Sequence, residues 1–355
     1  MRLIRTPRIG PVAYLHLVRR FGTAARAIDA LPGLAFRGGG PAPRIFPLAA
    51  AEAEFERIGA LGADILFRGC DGYPALLDQI EAAPPVLIVK GNLSLLDRQA
   101  VAIVGARNAS GAAVRFARML AHDLATQGML VVSGLARGID TAAHVGSIDA
   151  GTAAVIAGGI DIVYPPENAA LQADIGEHGL LIAEQPPGTQ PHARHFPFRN
   201  RIIAGLAMGT VVVEAAPKSG SLITARLATE FGREVMAVPG SPLDPRAQGC
   251  NLLIREGATL IQSAADIAEA LGPIGGVSVR QPDGYRPGPP ADPDADADER
   301  ARRTILDLLG PVPLPVDELI RQAGIAAPIA QTVLLELELA GRLERHAGGR
   351  VSLAA

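Results

Sequence analysis

The sequence predicts an α/β protein built on a doubly wound, mainly parallel sheet, with a small helical region before it and a winged-helix-like region after it. Two observations predict the sheet. Strand-length runs are continuously apolar and do not alternate, as in strands that are buried on both faces. Helix-length stretches separate these runs, as in successive βαβ units. Many of the runs also end in a loop rich in glycine or serine, which is where such sheets bind ligands.

Residues 1–70 are predicted to form the small helical domain. Pro11–Leu31 carries apolar residues at helical spacing and is broken at Phe21-Gly22-Thr23, where Thr23 can cap a second helix. Gly38–Pro41 interrupts the pattern, and Ala49–Leu61 resumes a helix. Residues 1–60 hold nine arginines against four acidic residues, although the whole chain has a net charge of −3. A polyanion would therefore meet a local patch; the alternative is a packing module with solvated arginines.

Residues 71–272 are predicted to form the sheet domain, beginning with an apolar strand within Pro84–Gly91. Further strands are predicted at Val101–Val104, Met129–Ser133, Ala153–Ala157, Leu180–Ala183, Thr210–Val213, Glu234–Val238 and Thr259–Gln262. Helices are predicted between them at Ala112–Gln127, Ile139–Ala150, Arg199–Ala207, Leu222–Gly232 and Asn251–Gly257. Because the strands run parallel, the loops that follow them should meet at one edge of the sheet.

Those loops combine small residues with single cations. Backbone N–H groups in such loops, and at the positive end of a following helix, suit phosphate groups that a few cations neutralise. The predicted phosphate contacts are Arg107, Ser133, Gly134, Arg137, Gly138, Lys218, Ser219, Gly220 and Ser221. Taken alone, the Lys218 loop is equally compatible with an ordinary helix cap and a solvated lysine, and Arg107 and Arg137 taken singly are typical of surface residues.

The same loops exclude several nucleotide chemistries. The segment around Lys218 lacks the G-x-x-x-x-G-K-[ST] spacing, an acidic magnesium partner and a nucleophile with its base. The segment Gly105–Gly111 does not match G-x-G-x-x-G, which disfavours nicotinamide and flavin dehydrogenases. The sequence therefore indicates phosphate binding without phosphate transfer, and no cofactor is expected.

The segment His195–Arg201 places aromatic residues beside cations and an amide. Stacking faces, charges and amides are what splayed single-stranded bases require, so Arg199, Asn200 and Arg201 are predicted nucleic-acid contacts. The alternative is that the phenylalanines are core residues and Arg199 pairs with an acid. His192 and His195 have no further ligands nearby in sequence, so no metal is expected.

The last part of the chain is predicted to be a linker followed by a winged helix. Residues 273–298 hold six prolines and four glycines and end in an acidic repeat, as in a flexible linker. Residues 299–355 are predicted to form three helices, at Arg300–Leu309, Val316–Gln322 and Pro328–Ala340, and two β-segments around Gly348-Gly349. The third helix has no cation, and seven acidic residues balance seven arginines in this region. This favours a protein-contact role over groove reading.

Composition bounds the remaining possibilities. The chain has 355 residues, 48% of them hydrophobic and 19% charged, as in a globular protein of two or three domains. Cys70 and Cys250 form no C-x-x-C pair, and the arginine-interrupted N-terminus resembles no signal peptide. We therefore expect a cytoplasmic protein that does not cross a membrane.

Four motifs together resemble the DNA-processing protein A family, also called DprA or Smf. They are SGLARGIDTAAH from Ser133, FPFRNRIIAGLA from Phe196, EAAPKSGSLITA from Glu214, and PGSPLDPRAQGCNLLIREGA from Pro239. The resemblance implies an extended Rossmann-like domain that binds single-stranded DNA, protects it in natural transformation and helps load the RecA recombinase. It also implies a homodimer without catalytic activity.

Residue by residue, the resemblance assigns the family's DNA pocket to Arg107 and Lys218, with Ser133, Gly134 and Gly138 in its glycine loop. An alternative from another class stays open. Nucleoside-monophosphate phosphoribohydrolases of the lysine-decarboxylase-like group have a similar sheet and a PGG-x-GT-x-x-E loop. The corresponding PKSGSLITARLATE lacks both the PGG and the glutamate spacing.

Overall fold

The computed structural model describes residues 1–272, 299–346 and 348–354, so the predicted linker lies outside the described residues. The helices are α1 (Arg2–Arg5), α2 (Pro11–Phe21), α3 (Ala24–Arg37), α4 (Leu48–Ala60), α5 (Ala75–Asp78), α6 (Gly111–Thr126), α7 (Ile139–Ser147), α8 (Ala169–His178), α9 (His195–Leu206), α10 (Ser221–Glu230), α11 (Gln248–Arg255), α12 (Ala264–Leu271), α13 (Glu299–Leu308), α14 (Val316–Ala323) and α15 (Ala327–Leu339). The strands are β1 (Asp64–Phe67), β2 (Val86–Gly91), β3 (Ala100–Gly105), β4 (Leu130–Ser133), β5 (Thr152–Gly159), β6 (Leu180–Gln185), β7 (Gly209–Val213), β8 (Glu234–Ala237), β9 (Thr259–Leu260), β10 (Leu314–Pro315), β11 (Leu343–His346) and β12 (Arg350–Leu353).

Nine strands form one sheet in the order β1-β2-β6-β5-β4-β3-β7-β8-β9. The strands from β3 to β9 are parallel, which confirms the predicted doubly wound sheet. The strand predicted within Pro84–Gly91 is β2, but it runs antiparallel to β6, and β1 extends the edge antiparallel to β2. β1 is a strand that was not predicted, because its apolar run is only three residues long and its side chains are at most partly buried.

The predicted parallel strands are all present, with ends that differ by at most two residues. Their continuous apolar runs are explained by burial on both faces, because alternate residues of one strand enter two different cores. Ala102 and Val104 of β3 pack in a core with Ile203 of α9, whereas Val101 and Ile103 pack with α6 and α7 on the opposite face. Helices therefore cover both sides of the sheet, as the pattern predicted.

The strand order reverses at β3. From β3 the chain builds β4, β5 and β6 on one side, then crosses through α9 to build β7, β8 and β9 on the other. Because β3 is hydrogen-bonded to both β4 and β7, the loops after these three strands open into one crevice. A topological switch point of this kind is where open α/β sheets bind their ligands.

The second compact unit joins the two ends of the chain: Met1–Glu52 and the described residues from 299 onward. Thr23 caps α3 by accepting a hydrogen bond from the N–H of Arg26, as predicted. Helices α13, α14 and α15 and a three-stranded sheet, β10-β12-β11, form the predicted winged helix. Leu335 and Leu339 of α15 lie in the same apolar core as Leu17 and Leu31. The third helix, which carries no cation, thus packs on the N-terminal helices of its own chain.

The predicted helical domain extends through residue 70, whereas β1 is part of the large sheet and the sheet unit begins near Ala53. The described part of the chain contains no helix with the length and apolar character that crossing a bilayer requires.

Candidate functional site

A cleft of about 150 Å³ opens at the carboxyl edge of the sheet, above β3, β4 and β5. Its walls come from the loops after these strands and from the start of α9. The side chains that give it its chemistry are those of Arg107, Arg137, Tyr164, Phe196 and Arg199, with Gly134 at the floor. The structure thus brings together four of the predicted contacts, Arg107, Gly134, Arg137 and Arg199.

Aromatic rings and guanidinium groups alternate around this cleft. The guanidinium carbon of Arg107 lies 5.3 Å from the centre of the Phe196 ring, and that of Arg199 lies 6.0 Å from it. The Tyr164 ring centre is 5.6 Å from that of Phe196, at an angle of 55°. Cations over an aromatic face are attracted by the ring quadrupole, so these contacts hold the arginines at the cleft. Tyr164 was not among the predicted contacts, although the Tyr-Pro-Pro segment soon after Gly158-Gly159 could have indicated an aromatic residue near this loop.

Arg199 supplies a buried positive charge at the floor. Its side chain is 7% exposed, and the nearest carboxylate oxygen, from Asp140, lies 3.9 Å from Nη1. Its Nε has no hydrogen-bond partner among the described residues. Burial lowers the pKa of Arg199 and raises the pKa of Asp140, while their mutual attraction opposes both shifts. An anion entering the cleft would complete the environment of this guanidinium.

The absence of a side chain at Gly134 makes room for Arg199. A Cβ atom at this position would lie 1.4 Å from Nη1 of Arg199. The backbone of the same loop is fixed by Asp140, whose carboxylate accepts hydrogen bonds from the N–H groups of Gly134 at 3.2 Å and Ala136 at 3.3 Å. The glycine loop and Arg199 are therefore built around one buried carboxylate.

The rest of this loop is held by side chains that do not reach the cleft. Ser133 is fully buried and its hydroxyl donates to the carbonyl of Ile103 at 2.6 Å. Leu135 has a left-handed backbone with φ of 56°, and its N–H donates to Nε2 of His144 at 3.3 Å. Burial lowers the pKa of His144 to about 3, so the imidazole is neutral and can accept this bond. Asn168 donates to the carbonyl of Leu135 at 2.9 Å.

Gly138 lets the two cleft loops touch. It has φ of 79°, which favours glycine, and a Cβ there would lie 2.3 Å from the carbonyl oxygen of Ala106. The N–H of Ile139 donates to the same oxygen at 3.2 Å. Arg137, just before Gly138, is exposed and lies 3.6 Å from a carboxylate oxygen of Glu167 across the cleft mouth.

The loop after β7 carries the exposed Lys218 and leads into α10. Ser219 and Ser221 share a hydrogen bond of 2.7 Å between their hydroxyls, and Gly220 is the exposed residue before the helix. The side chain of Asn200 donates to the carbonyl of Gly220 at 3.4 Å. Helix α9 therefore supplies Arg199 to the cleft and, one residue later, braces the Lys218 loop.

Other predicted contacts in this segment lie inside the protein. Asn200 and Arg201 are 9% and 6% exposed, and Arg201 forms an ion pair of 2.6 Å with Glu184. Helix α9 starts at His195, four residues before the predicted start, so successive side chains point around a helix and do not share one face. Phe196 consequently lines the cleft, whereas Phe198 is 56% exposed to solvent.

The rings of His192 and His195 pack edge to face, with their centres 5.3 Å apart. Throughout residues 1–272 and the described tail, no group of three or more histidine, cysteine and acidic side chains is placed to hold a metal ion.

Comparison with known proteins places this geometry in a family. The model of DNA recombination-mediator protein A matches residues 64–272, that of the DprA winged helix domain matches 289–349, and that of the DprA-like N-terminal HHH domain matches 1–56. The chain is 48% identical over 199 residues to DNA processing protein DprA of Streptococcus pneumoniae, covering 56% of this chain and 70% of that protein. It is 38% identical over 288 residues to protein Smf of Escherichia coli, covering 79% and 75%.

Two solved structures share the fold. DNA processing protein A from Streptococcus pneumoniae superposes with a TM-score of 0.61 at 38% identity, covering 73% of this chain and 86% of that one. The protein from Helicobacter pylori, described with its single-stranded DNA binding mode, gives a TM-score of 0.55 at 27% identity, covering 59% and 95%. With family models matching all three regions and the large sheet matched from its first strand to its last, this chain belongs to the DNA recombination-mediator protein A family, whose members are named DprA or Smf.

Proposed function

We propose that this chain binds single-stranded DNA without catalysing a reaction on it, protects incoming DNA during natural transformation and helps load the RecA recombinase. The observation that carries the DNA-binding proposal is the cleft itself, where Arg107 and Arg199 stand over the Phe196 ring beside Tyr164. The similarity to the Helicobacter pylori protein supports the same ligand.

The proposed binding mode uses both kinds of group in the cleft. A base stacks against the exposed ring of Tyr164, which packs on Phe196, while Arg107, Arg137 and Lys218 neutralise the adjoining phosphates. Bases in a duplex have their faces covered by neighbouring base pairs, so a stacking surface of this kind selects single strands. No element of the cleft is placed to enter a groove of DNA and read the edges of the bases, so little sequence preference is expected.

This proposal divides the predicted contacts into two roles. Arg107, Arg137, Lys218 and Gly220 are exposed, and Arg199 and Gly134 form the cleft floor, so these are the proposed DNA contacts. Ser133, Asn200, Arg201 and Ser221 are buried and are proposed to shape the loops. Gly138 and Ser219 belong to this second group, because they fix the approach of the loops and the start of α10.

The assembly around this site also belongs to the proposal. We expect a cytoplasmic homodimer, because two copies of a small cleft would hold one strand at two points and so raise its apparent affinity. The RecA step requires the strand to be handed on, which suits a site that neutralises only a few phosphates. Sedimentation of the purified chain tests the dimer, and the rate of RecA filament growth on oligonucleotide coated with single-strand-binding protein tests loading.

The central experiment is a gel-shift comparison of single-stranded and duplex oligonucleotides at two salt concentrations. If about two to four phosphates are neutralised per protomer, the log–log salt slope for single strands should be roughly −1.5 to −3. Equal or tighter binding of duplex contradicts the proposal. The phosphoribohydrolase alternative is tested in parallel with nucleoside monophosphates: release of free base supports it, and its absence with intact DNA binding supports the binding protein.

A further inference from the structure

Glu214 is the residue after β7, and its backbone is left-handed, with φ of 57°. For a side chain other than glycine this conformation costs on the order of 1 kcal/mol, so surrounding contacts must hold it. Two such contacts reach the loop of Arg107. The carbonyl of Glu214 accepts a hydrogen bond from the N–H of Ala106 at 2.7 Å, and Oε2 accepts one from the N–H of Ser110 at 2.7 Å.

These two N–H groups lie on either side of residues 107–109, so one glutamate fastens both ends of the segment that carries Arg107. Building on the proposed function, we propose that Glu214 is a positioning residue of the DNA site: it holds the Arg107 loop in the conformation that places the guanidinium over Phe196. It acts through Arg107 and does not touch the DNA.

The carboxylate is well suited to this position. Ser110 caps α6, its hydroxyl accepting from the N–H of Ala113 at 3.1 Å, so Oε2 of Glu214 lies at the positive end of a 16-residue helix. In dinucleotide-binding sheets, the N-terminus of the helix that follows the first strand, here α6 after β3, binds the pyrophosphate. Here a side chain of the protein occupies that place, and Arg246 approaches its other oxygen, Oε1, at 3.8 Å.

The negative charge of Glu214 and its hydrogen bond to the Arg107 loop should have opposite effects on DNA affinity. Removing an acidic group close to an anion site should, by charge alone, strengthen DNA binding. Removing the acceptor that holds the Arg107 loop should weaken it, because the guanidinium is then free to leave the ring. Glu214→Gln removes the charge but keeps an oxygen acceptor, whereas Glu214→Ala removes both, so the two variants separate the effects.

The experiment measures the dissociation constant of a labelled oligothymidylate of about 20 nucleotides, with and without Arg107→Ala. Glu214→Ala should weaken binding about fivefold to tenfold when Arg107 is present and less than about twofold when it is absent, as coupled residues do. Glu214→Gln should bind as the parent does or tighter. Asp244→Ala is the matched control: it removes a half-buried acid that contacts Arg246 but not the Arg107 loop, and it should bind as the parent does.

Hydrogen–deuterium exchange of residues 106–110 gives a second readout that needs no DNA. Exchange should be faster in Glu214→Ala and close to parental in Glu214→Gln. If the parent does not bind DNA but exchange follows this order, the proposed function fails and the positioning role stands. If Glu214→Ala does not fold, Glu214→Gly replaces it, since glycine accepts the left-handed backbone and also lacks the carboxylate. Parental exchange and binding in a folded Ala or Gly variant, or equal losses with and without Arg107, overturn the inference.

Discussion

Arg199 and Arg201 lie two residues apart on helix α9 and differ in how closely a carboxylate pairs with each of them. Arg201 forms a hydrogen-bonded ion pair of 2.6 Å with Glu184, although its Nη1 has no hydrogen-bond partner among the described residues. Arg199 lies 3.9 Å from Asp140 and lines the cleft. A guanidinium stays protonated at any physiological pH, so a buried one whose carboxylate partner is as far as 3.9 Å keeps N–H groups that an anion can satisfy. At the scale of single residues, this difference separates a structural arginine from a proposed binding residue.

The first prediction follows from the room that Gly134 gives to Arg199. Gly134→Ala places a Cβ on the guanidinium, which must move from the cleft floor. We expect the fold to survive, because the end of a flexible side chain yields, and DNA affinity to fall about tenfold, roughly 1.4 kcal/mol. Gly59→Ala is the control, since no atom lies within 4 Å of the added methyl group. Parental affinity in a folded Gly134→Ala variant would argue against Arg199 as a DNA contact.

The second prediction concerns Arg107 and Lys218, on loops that follow the adjacent strands β3 and β7. Each single substitution to alanine removes one cation and should flatten the salt slope by up to about 0.7. The double variant should nearly abolish binding, because the remaining N–H groups are dipoles that water satisfies equally well. Both residues are exposed, so circular dichroism and melting should match the parent. A folded double variant with undiminished affinity contradicts the assignment of the site.

At the scale of elements, the turn from β4 into α7 depends on a neutral histidine. His144 accepts from the N–H of Leu135 and contacts the hydroxyl of Thr152 at 2.7 Å, and it is fully buried. Its pKa is lowered from 6.5 to about 3 because burial disfavours the imidazolium, with Arg199 adding to the effect. The uncharged form of His144 therefore holds the glycine loop that forms the cleft floor.

The third prediction is a pH dependence with a defined sign. Between about pH 6.5 and pH 3 the unfolded chain binds a proton at His144 that the folded chain does not, so stability falls as the pH is lowered, by up to about 1.4 kcal/mol per pH unit. Asp140, whose pKa is raised by burial, works in the opposite direction. Denaturant unfolding at pH 7 and pH 5 should therefore show a smaller loss in His144→Gln than in the parent. An unchanged loss would contradict this role.

The fourth prediction concerns Glu336 of α15, which is fully buried. Its carboxylate pairs with Arg37 of α3 at 2.7 Å and with Arg302 of α13 at 2.8 Å. Glu336→Gln should lower the free energy of unfolding of this unit by up to about 3 kcal/mol, since it removes the buried negative charge that two partly buried arginines share. Glu344→Gln, at an exposed position of β11, is the control and should change stability little. Equal effects of the two variants on the melting temperature would contradict the prediction.

At the scale of the whole molecule, the two compact units do not follow the order of the sequence. The two ends of the chain form one compact unit, and residues 53–272 form the other. Gly38 and Gly40 follow the end of α3. A Cβ at Gly38 would be 2.1 Å from the carbonyl oxygen of Glu336, and one at Gly40 would be 2.4 Å from that of Ala340. The surface that a winged helix commonly presents to DNA is here packed on the N-terminal helices.

The fifth prediction separates folding from DNA binding at this scale. Deleting residues 273–355 removes Leu335 and Leu339 from the N-terminal core, so the N-terminal helices should lose their cooperative melting transition. The affinity for single-stranded DNA should change by less than about tenfold, because the cleft lies in the other unit. Arg303→Ala, which affects only an exposed ion pair with Glu299, is the control and should alter neither property. A larger loss of affinity on deletion would mean that the tail contacts DNA or sustains a needed assembly.

Much of the architecture was predictable because it rests on local pattern. Burial on both faces requires continuous apolar strands, so the runs at Val101–Val104 and Thr210–Val213 predicted a parallel sheet and placed Arg107 and Lys218 at its carboxyl edge. The cap at Thr23 and the breaks at glycine are equally local. The four family motifs could also be recognised from sequence, because each is a short continuous segment.

What only the tertiary structure decided are the pairings between distant segments. Sequence spacing does not reveal that Tyr164 meets Phe196, that Glu214 holds the Arg107 loop, or that Glu336 pairs with Arg37. It also does not distinguish Arg199 from Arg201, because which face of a helix is buried depends on the elements packed against it. The sequence by itself determined the sheet and the edge where its loops meet, because both follow from periodicity. The protein's use of each charged side chain depends on neighbours far away in the chain, and these are fixed only when the fold is complete.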